Sequence, residues 1–376
     1  MGGSHASLDR LNIERPTLVL DRDRVLRNVE RMAERAASTG VAFRPHFKTH
    51  QSLGVGRWFR DFGVNGITVS SVEMARYFAG DGWTDVTVAS PVNLRELEAV
   101  AELAERVRLG VVVDSTEAVE ALARRVTAKL RVWMKVDVGY GRAGVSWDDE
   151  ALLSAVFGAV LGAAGLEFVG VLTHNGLVYH ERTSEGVVRA HAQAMQRLGA
   201  AKALLASQGV GDCAISIGDT PSASLVDGFP GVDEIRPGNS VFYDLTQVAI
   251  GACSIEDIAV AVACPVIGVY PESGRALLYG GAVHLSLDSI EDLDGRTVFG
   301  EASLGWPGAA TRDAPLVSLS QEHGVVAMRA GPSPDLARGG LVCVLPVHSC
   351  LTCNLHAEYV TLDEDRLGTI HTARGI

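Results

Sequence analysis

The sequence predicts an α/β chain, a (β/α)8 TIM-type barrel followed by a carboxy-terminal mainly-β domain. Three observations carry that prediction. Eight short β-branched runs alternate with helix-like segments between residues 42 and 239, and that many strand–helix units close into a barrel. After residue 250 the helical patterns stop, and strand-like runs separated by turns take over. Hydrophobic residues make up 47% and charged residues 21% of the 376 positions, as expected where a large core is buried. A doubly wound open sheet is the alternative, but eight units exceed what it usually needs.

The elements follow in order. MGGSHAS at the start reads as an expression remnant, and residues 1–13 are expected to be tag or disordered. PTLVLD (16–21) is a strand ahead of the barrel, so residues 14–21 are grouped with the β domain. RDRVLRNVERMAERAAST (22–39) is the helix that opens the barrel domain, assigned to 22–250. The barrel runs are AFRPHFK (42–48), GITVSS (66–71), DVTVAS (85–90), LGVVVDS (109–115), LRVWMKVDVG (130–139), FVGVLTHNG (168–176), AISIGDT (214–220) and VDEIRPGN (232–239). Segments such as STEAVEALARRV supply the helices between them. DIAVAVACPVIGVY, RALLYGG, GVVAMR, GGLVCVLPV and LHAEYVTL then build a β barrel or sandwich over 251–376.

Composition excludes several roles. A net charge of −12 argues against a nucleic-acid partner, which would need a basic face. No apolar run is long enough to span a membrane, and no secretory signal is expected. Six cysteines in 376 residues do not make a disulfide framework, so a reducing cytoplasm is the expected compartment.

Reactive residues at the carboxy-terminal ends of barrel strands gain weight, because barrel active sites lie there. Lys48 closes strand one; Asp137, Gly139 and Arg142 follow strand five; His174 ends strand six, with Tyr179 beyond it. Ser216, Gly218 and Thr220 belong to strand seven, and Arg236, Gly238 and Asn239 end strand eight. Glycines and short hydroxyls on strands seven and eight are what a phosphate needs. A phosphate site with an amine across the mouth suggests pyridoxal phosphate held as a Schiff base. A barrel for a phosphorylated sugar, with Lys48 as a mere charge, is the equally weighted alternative.

VHSCLTCNLH (347–356) contains His348, Cys350, Cys353 and His356. Taken alone it offers a Cys2His2 cluster, a redox CxxC or a buried structural pair. The preceding GGLVCVLP is strand-like, and a period of two puts His348 and Cys350 on one face. Two ligands leave coordination positions open, which suits catalysis better than structure.

PTLVLD, PHFKTH, VDVGYGRAG, HNGLVY, SIGDTPS, EIRPGN, SQEHG and VHSCLT stand in this order across residues 16–376. In these pieces the chain resembles the fold-type III pyridoxal-phosphate enzymes, and within them the D-threonine aldolase and D-serine dehydratase family. The resemblance implies that Lys48 is the Schiff-base lysine, that Arg142 meets the cofactor phenolate oxygen and that His174 packs on the pyridine ring. Arg236 matches the racemase arginine that faces the ring nitrogen. Tyr179, and His323 with Glu322 in SQEHG, are candidates for substrate or acid–base roles. His348 and Cys350 match a pair that holds a divalent metal, with zinc first because the second ligand is a thiolate, and manganese or magnesium as alternatives. The implied activity is a lyase reaction on D-configured β-hydroxy amino acids. Cys350 tilts it towards dehydration of a D-serine or 3-hydroxy-D-aspartate type substrate to a 2-oxo acid and ammonia. A D-threonine-type aldolase is the alternative, with an amino-acid racemase or a non-catalytic cofactor carrier further behind; such carriers lack the β domain. A homodimer is implied as well. Leu177 and Asp219 depart from the family pattern. Lys135 matches a lysine that is carbamylated in some alanine racemases, or else it pairs with a carboxylate.

Overall fold

A computed structural model describes residues 8–209, 213–292, 294–328 and 336–374. All eight barrel runs form strands: Ala42–Phe43, Ile67–Val69, Asp85–Pro91, Arg108–Val113, Leu130–Asp137, Leu166–Leu172, Ala214–Ile217 and Glu234–Ile235. Each pairs in parallel with its neighbour, and strand eight pairs with strand one. A parallel bridge between His46 and Thr68 joins strand one to strand two and closes the ring. There Phe47 N donates to Thr68 O (2.8 Å), and Thr68 N donates to Pro45 O (2.9 Å). Strands one and eight are only two residues long. Pro45 and Pro237 follow them, and a proline has no N–H to extend a ladder. Val112, Trp133 and Leu172 pack together as one buried cluster. Ser71 and Ser115 cap the helices Val72–Ala79 and Thr116–Arg125, accepting from Met74 N and Ala118 N.

The second sheet closes as well. Val260–Tyr270, Arg275–Tyr279, His323–Ala327, Ala314–Leu319, Gly300–Ser303 and Leu341–Pro346 pair antiparallel in that order and return to Val260–Tyr270. Thr17–Leu20 extends it, antiparallel to Val260–Tyr270 and parallel to Glu358–Thr361. Val19, Ile258, Ala261, Trp306, Leu345 and Val347 form its core, and buried Leu8 belongs to the same cluster. Leu11 and Ile13 pack against that cluster. The disordered start expected over residues 1–13 therefore does not reach Leu8–Ile13; residues 1–7 lie outside the described residues.

The chain divides into two units. One contains Glu30–Lys48 and Phe59–Gly238; the other takes the residues through Val29, Thr49–Trp58 and those from Asn239 onward. The boundary expected at 22–250 shifts for reasons visible in the hydrogen bonds. Arg24 Nη1 donates to Ile258 O (3.0 Å), Tyr359 Oη donates to His50 O (2.7 Å) and Ile370 N donates to Gln51 O (2.8 Å). These contacts tie the early helix and the segment after Lys48 to the β-rich unit. Among the described residues, no helix is long and apolar enough to cross a membrane.

Candidate active site

The barrel unit holds Lys48 on a rigid mount. The buried Phe47 ring packs on Phe59, Phe78 and Trp83 at 5.0, 4.9 and 5.1 Å, while Lys48 itself is exposed. Lys48 N donates to His46 Nδ1 (3.4 Å), which leaves the imidazole proton on Nε2. Burial, then the charges of Lys48, Arg236, His174 and Lys135, push the His46 pKa well below its usual range, so the ring is neutral.

Strand five ends on Asp137, whose carboxylate accepts from Gly139 N, Tyr140 N and Gly141 N, each at 2.9 Å. That loop needs left-handed backbone at Gly139 (φ +106°) and Gly141 (φ +77°), which glycine adopts without strain. It delivers Arg142, whose guanidinium carbon lies 5.6 Å from the centre of the Tyr140 ring. Lys135 is buried on the same strand. Burial, followed by Arg236 and Arg142, pulls its pKa down to about 7 against the opposing pull of Asp114 and Asp137.

His174 Nδ1 hydrogen-bonds Gly218 O, and its ring stacks on Tyr179 at 6.0 Å and 30°. Burial and Arg142 hold its pKa at about 3, so it is neutral in working conditions. Tyr179 Oη accepts from Thr220 N (3.3 Å). Strand seven continues through Gly218 into a short helix, Thr220–Leu225. A Cβ at Gly218 would sit 2.8 Å from Arg236 Nη1, so only glycine lets that arginine approach. Thr220 Oγ1 and Ser222 Oγ are buried without a hydrogen-bond partner among the described residues. Two orphaned hydroxyls beside a backbone that a side chain would obstruct fit an oxygen-rich dianion such as a cofactor phosphate.

Arg236 sits at the end of a buried polar chain. Its Nε donates to Ser216 Oγ (2.7 Å), and Ser216 Oγ donates to Glu234 Oε1 (2.8 Å). Arg44 Nε then donates to Glu234 Oε2, and Arg44 Nη1 to Asp85 Oδ1 (2.8 Å). Because the serine's single proton is used towards Glu234, Arg236 can only donate to it. Burial lowers the Arg236 pKa to about 10, which still leaves it cationic. Gly238 follows it as the last residue of this unit.

The β-rich unit carries the second group. The expected strand face does not form: the strand stops at Pro346, and His348 is the N-cap residue of a short helix, Ser349–Asn354, that contains Cys350. The two side chains still meet at this junction. Burial pulls the His348 pKa down, but contact with Cys350 and the charges of Cys350, Asp244 and Asp288 outweigh it and raise it to about 9. His348 Nδ1 lies 3.7 Å from Asp288 Oδ2. Cys350 Sγ lies 3.2 Å from Thr49 Oγ1 and 3.7 Å from Asn239 Nδ2. Asn239, expected with the phosphate, turns its amide nitrogen to Asp244 Oδ2 (2.6 Å) and Ser349 Oγ (2.9 Å).

Cys353 is buried, and burial raises its pKa. His356 Nε2 hydrogen-bonds His284 O (2.9 Å). No cluster of three or more His, Cys, Asp or Glu ready to hold a metal forms among the described residues, so a closed Cys2His2 site is absent there. An imidazole touching a thiol with other coordination positions open fits a divalent cation of the zinc type. His323 opens its strand exposed, with its ring 6.2 Å from Tyr279. The residues that sequence reasoning missed are His46, Glu234, Asp244 and Ser222. Of these, only His46 carried a local signal, since it stands two residues before Lys48.

A parallel barrel whose strand ends gather an amine, cations and orphaned hydroxyls defines a cofactor-dependent barrel enzyme. The comparisons make this specific. Residues 20–245 match the alanine racemase N-terminal domain and residues 259–362 a putative serine dehydratase domain. The chain belongs to the fold-type III pyridoxal-phosphate family of D-serine dehydratases and D-threonine aldolases. It is 34% identical to D-threo-3-hydroxyaspartate dehydratase of Delftia sp. (strain HT23), over 96% of this chain and 97% of that one. It is 29% identical to D-serine dehydratase of Dictyostelium discoideum, over 95% of each. It is 28% identical to D-threonine aldolase of Arthrobacter sp., over 93% of this chain and 89% of the other. The solved Delftia dehydratase superposes with a TM-score of 0.88 at 31% identity, covering 96% of this chain and 98% of that one. A variant of that dehydratase with one cysteine changed to alanine is described as its metal-free form.

Proposed function

We propose that the protein is a pyridoxal-phosphate- and divalent-metal-dependent lyase that dehydrates a D-configured β-hydroxy amino acid, of the 3-hydroxy-D-aspartate or D-serine type, to a 2-oxo acid and ammonia. The observation that carries this reading is the contact between His348 and the thiol of Cys350, a soft ligand pair that favours zinc over manganese or magnesium. Lys48 would hold the cofactor, with Ser216, Gly218, Thr220 and Gly238 around its phosphate, Arg142 at its phenolate oxygen and His174 on its ring. When bound, the cofactor supplies an electron sink at the α-carbon, and the metal supplies a Lewis acid for the departing β-hydroxyl.

The chain's own residues do the rest. Lys48 Nζ takes the α-proton, from a mount that the Phe47 cluster keeps rigid. Arg236 is locked as a donor through Ser216, so a ring nitrogen facing it cannot be protonated. His174 is neutral and serves as a packing surface. Tyr179, stacked on His174, would contact the substrate, and His323 is a second candidate. Asn239, with its amide nitrogen 3.7 Å from Cys350 Sγ, would support the metal pair in place of the phosphate contact expected for it. We also read the protein as a cytoplasmic homodimer. Exposed Val283, Leu287, Leu351 and Leu355 in the β-rich unit are the apolar surface that supports a dimer.

The test is incubation of purified protein with pyridoxal phosphate and zinc on D-serine, D-threonine and D-threo-3-hydroxyaspartate, with and without a chelator. Chelator-sensitive 2-oxo acid supports dehydration. Glycine with an aldehyde would make the enzyme an aldolase, the reading that the Arthrobacter relative favours.

A further inference from the structure

We infer that the turn Asp244–Thr246 is the positioning device of the His348–Cys350 pair, and that Asp244 sets metal affinity without being a ligand. This rests on reading that pair as the metal site. His348 and Cys350 are separated by one residue, so the backbone on either side of His348 decides whether imidazole and thiol converge. Both sides are pinned to the same turn. On one side, Val347 O accepts from Thr246 N (3.2 Å) and Thr246 Oγ1 (2.8 Å). On the other, Ser349 N donates to Asp244 Oδ2 (2.9 Å).

Asp244 reaches the pair by a second route. Its Oδ2 also accepts from Asn239 Nδ2 (2.6 Å), and that amide nitrogen is 2.9 Å from Ser349 Oγ and 3.7 Å from Cys350 Sγ. Its other oxygen, Oδ1, caps its own helix by accepting from Gln247 N (3.0 Å). Asp244 and Ser349 are fully buried, so these bonds do not compete with water. One carboxylate thus ties together the helix Leu245–Ile250, the amide of Asn239 and the residue lying between the two ligands. Supports of this kind orient ligands before the metal arrives, and their loss typically weakens affinity by about 10- to 100-fold.

The test uses full-length protein stripped of metal and titrated with zinc against a chromogenic chelator, alongside the visible spectrum after cobalt loading. Asp244→Asn is expected to weaken zinc binding by about 10- to 100-fold and to shift the cobalt bands, with the affinity for pyridoxal phosphate unchanged. Zinc affinity within about twofold of the parent, with an unaltered cobalt spectrum, would overturn the inference. If Asp244→Asn does not fold, Thr246→Val decides instead. It removes only the hydroxyl bond to Val347 O, and the expected outcome is a loss of several-fold with a shifted cobalt spectrum, whereas no change overturns the inference. His348→Ala and Cys350→Ala separate the two ideas. If both bind zinc like the parent, the metal-site reading itself fails, and the inference with it.

Discussion

Replacing Glu234 by glutamine tests the polar chain behind Arg236. The Arg44 and Glu234 side chains are 10% and 7% exposed, so their pair is buried and the weak surface-ion-pair regime does not apply. Burial alone would lower the Arg44 pKa, yet Glu234 and Asp85 overcome this and raise it. A glutamine has one acceptor where two are needed. If its oxygen faces Arg44 Nε, its NH2 confronts Ser216 Oγ; if it faces Ser216, two donors meet at Arg44. Either way a buried donor loses its acceptor, the Ser216 hydroxyl in the first case and an N–H in the second, which costs about 1–3 kcal/mol, on top of a charge pair whose breakage costs about 3–5 kcal/mol. These overlap, and Arg44 keeps Asp85, so about 3 kcal/mol is the expected loss. At roughly 1.3 °C per kcal/mol for a chain of 376 residues the melting temperature should fall by about 4 °C, read by calorimetry on the metal- and cofactor-free protein. The cofactor absorption band should shift as well, because Arg236 loses its fixed orientation. Combining Arg44→Met with Glu234→Leu should be milder than Glu234→Leu alone, since neither charge is then stranded. A Glu234→Gln melting point within about 1 °C of the parent, with an unchanged spectrum, would refute the argument.

Three further outcomes are expected. Asp219 is buried at the N-cap of Thr220–Leu225, and burial raises its pKa to about 6 against Ser222 and Arg236. Between an unfolded value near 4 and a folded value near 6, the folded chain holds the extra proton, so stability falls as pH rises, by at most about 3 kcal/mol. Asp219→Asn keeps the cap on Ser222 N and should melt higher than the parent at pH 8, with the gap closing by pH 4. Lys135 has the opposite sign: its folded pKa of about 7 lies below the ordinary 10.5, so the unfolded chain holds more protons and stability rises with pH through 7. Between pH 6.5 and 8.5 the gain is about 2 kcal/mol, and Lys135→Met should flatten that slope in pH-dependent denaturant melts. Lys48→Ala should abolish the covalent cofactor adduct that borohydride traps, as seen by intact mass, while the protein still folds.

Much of this was legible in the sequence, and the exceptions have physical reasons. The eight runs showed because β-branched residues cluster between helical periods, and each became a strand. Their lengths did not show: AFRPHFK shrinks to Ala42–Phe43 and VDEIRPGN to Glu234–Ile235, as prolines interrupt the ladder. Helices as short as Ala282–Leu285 and Ser349–Asn354 are less than two turns long, too short to display a 3.6-residue period, so the region after 250 looked free of them. That is why His348 and Cys350 were assigned to a strand face when a strand-to-helix junction brings them together. Lys48 was conspicuous because its motif is local. Glu234 meets Ser216 only through the register of strands eight and seven, and Asp244 meets Ser349 across 105 positions; no local pattern encodes either.

The charge distribution connects fold to chemistry. The chain carries −12 overall, yet its barrel unit concentrates cations. Lys48, Lys135 and Arg236 all act on His46, while Arg142, Lys48 and Lys135 act on His174, and in every case the effect is to disfavour a further positive charge. Both histidines are thereby held neutral, and Lys135 is driven towards neutrality by Arg236 and Arg142. Acidic residues answer these cations at some distance: Asp137 is occupied by three backbone N–H groups, and Glu234 by Arg44 and Ser216. The cluster sets Lys48, Lys135, Arg142 and Arg236 close enough to disfavour further positive charge on the groups between them. It is complementary to a dianionic phosphate and a carboxylate substrate, whose arrival relieves the mutual repulsion.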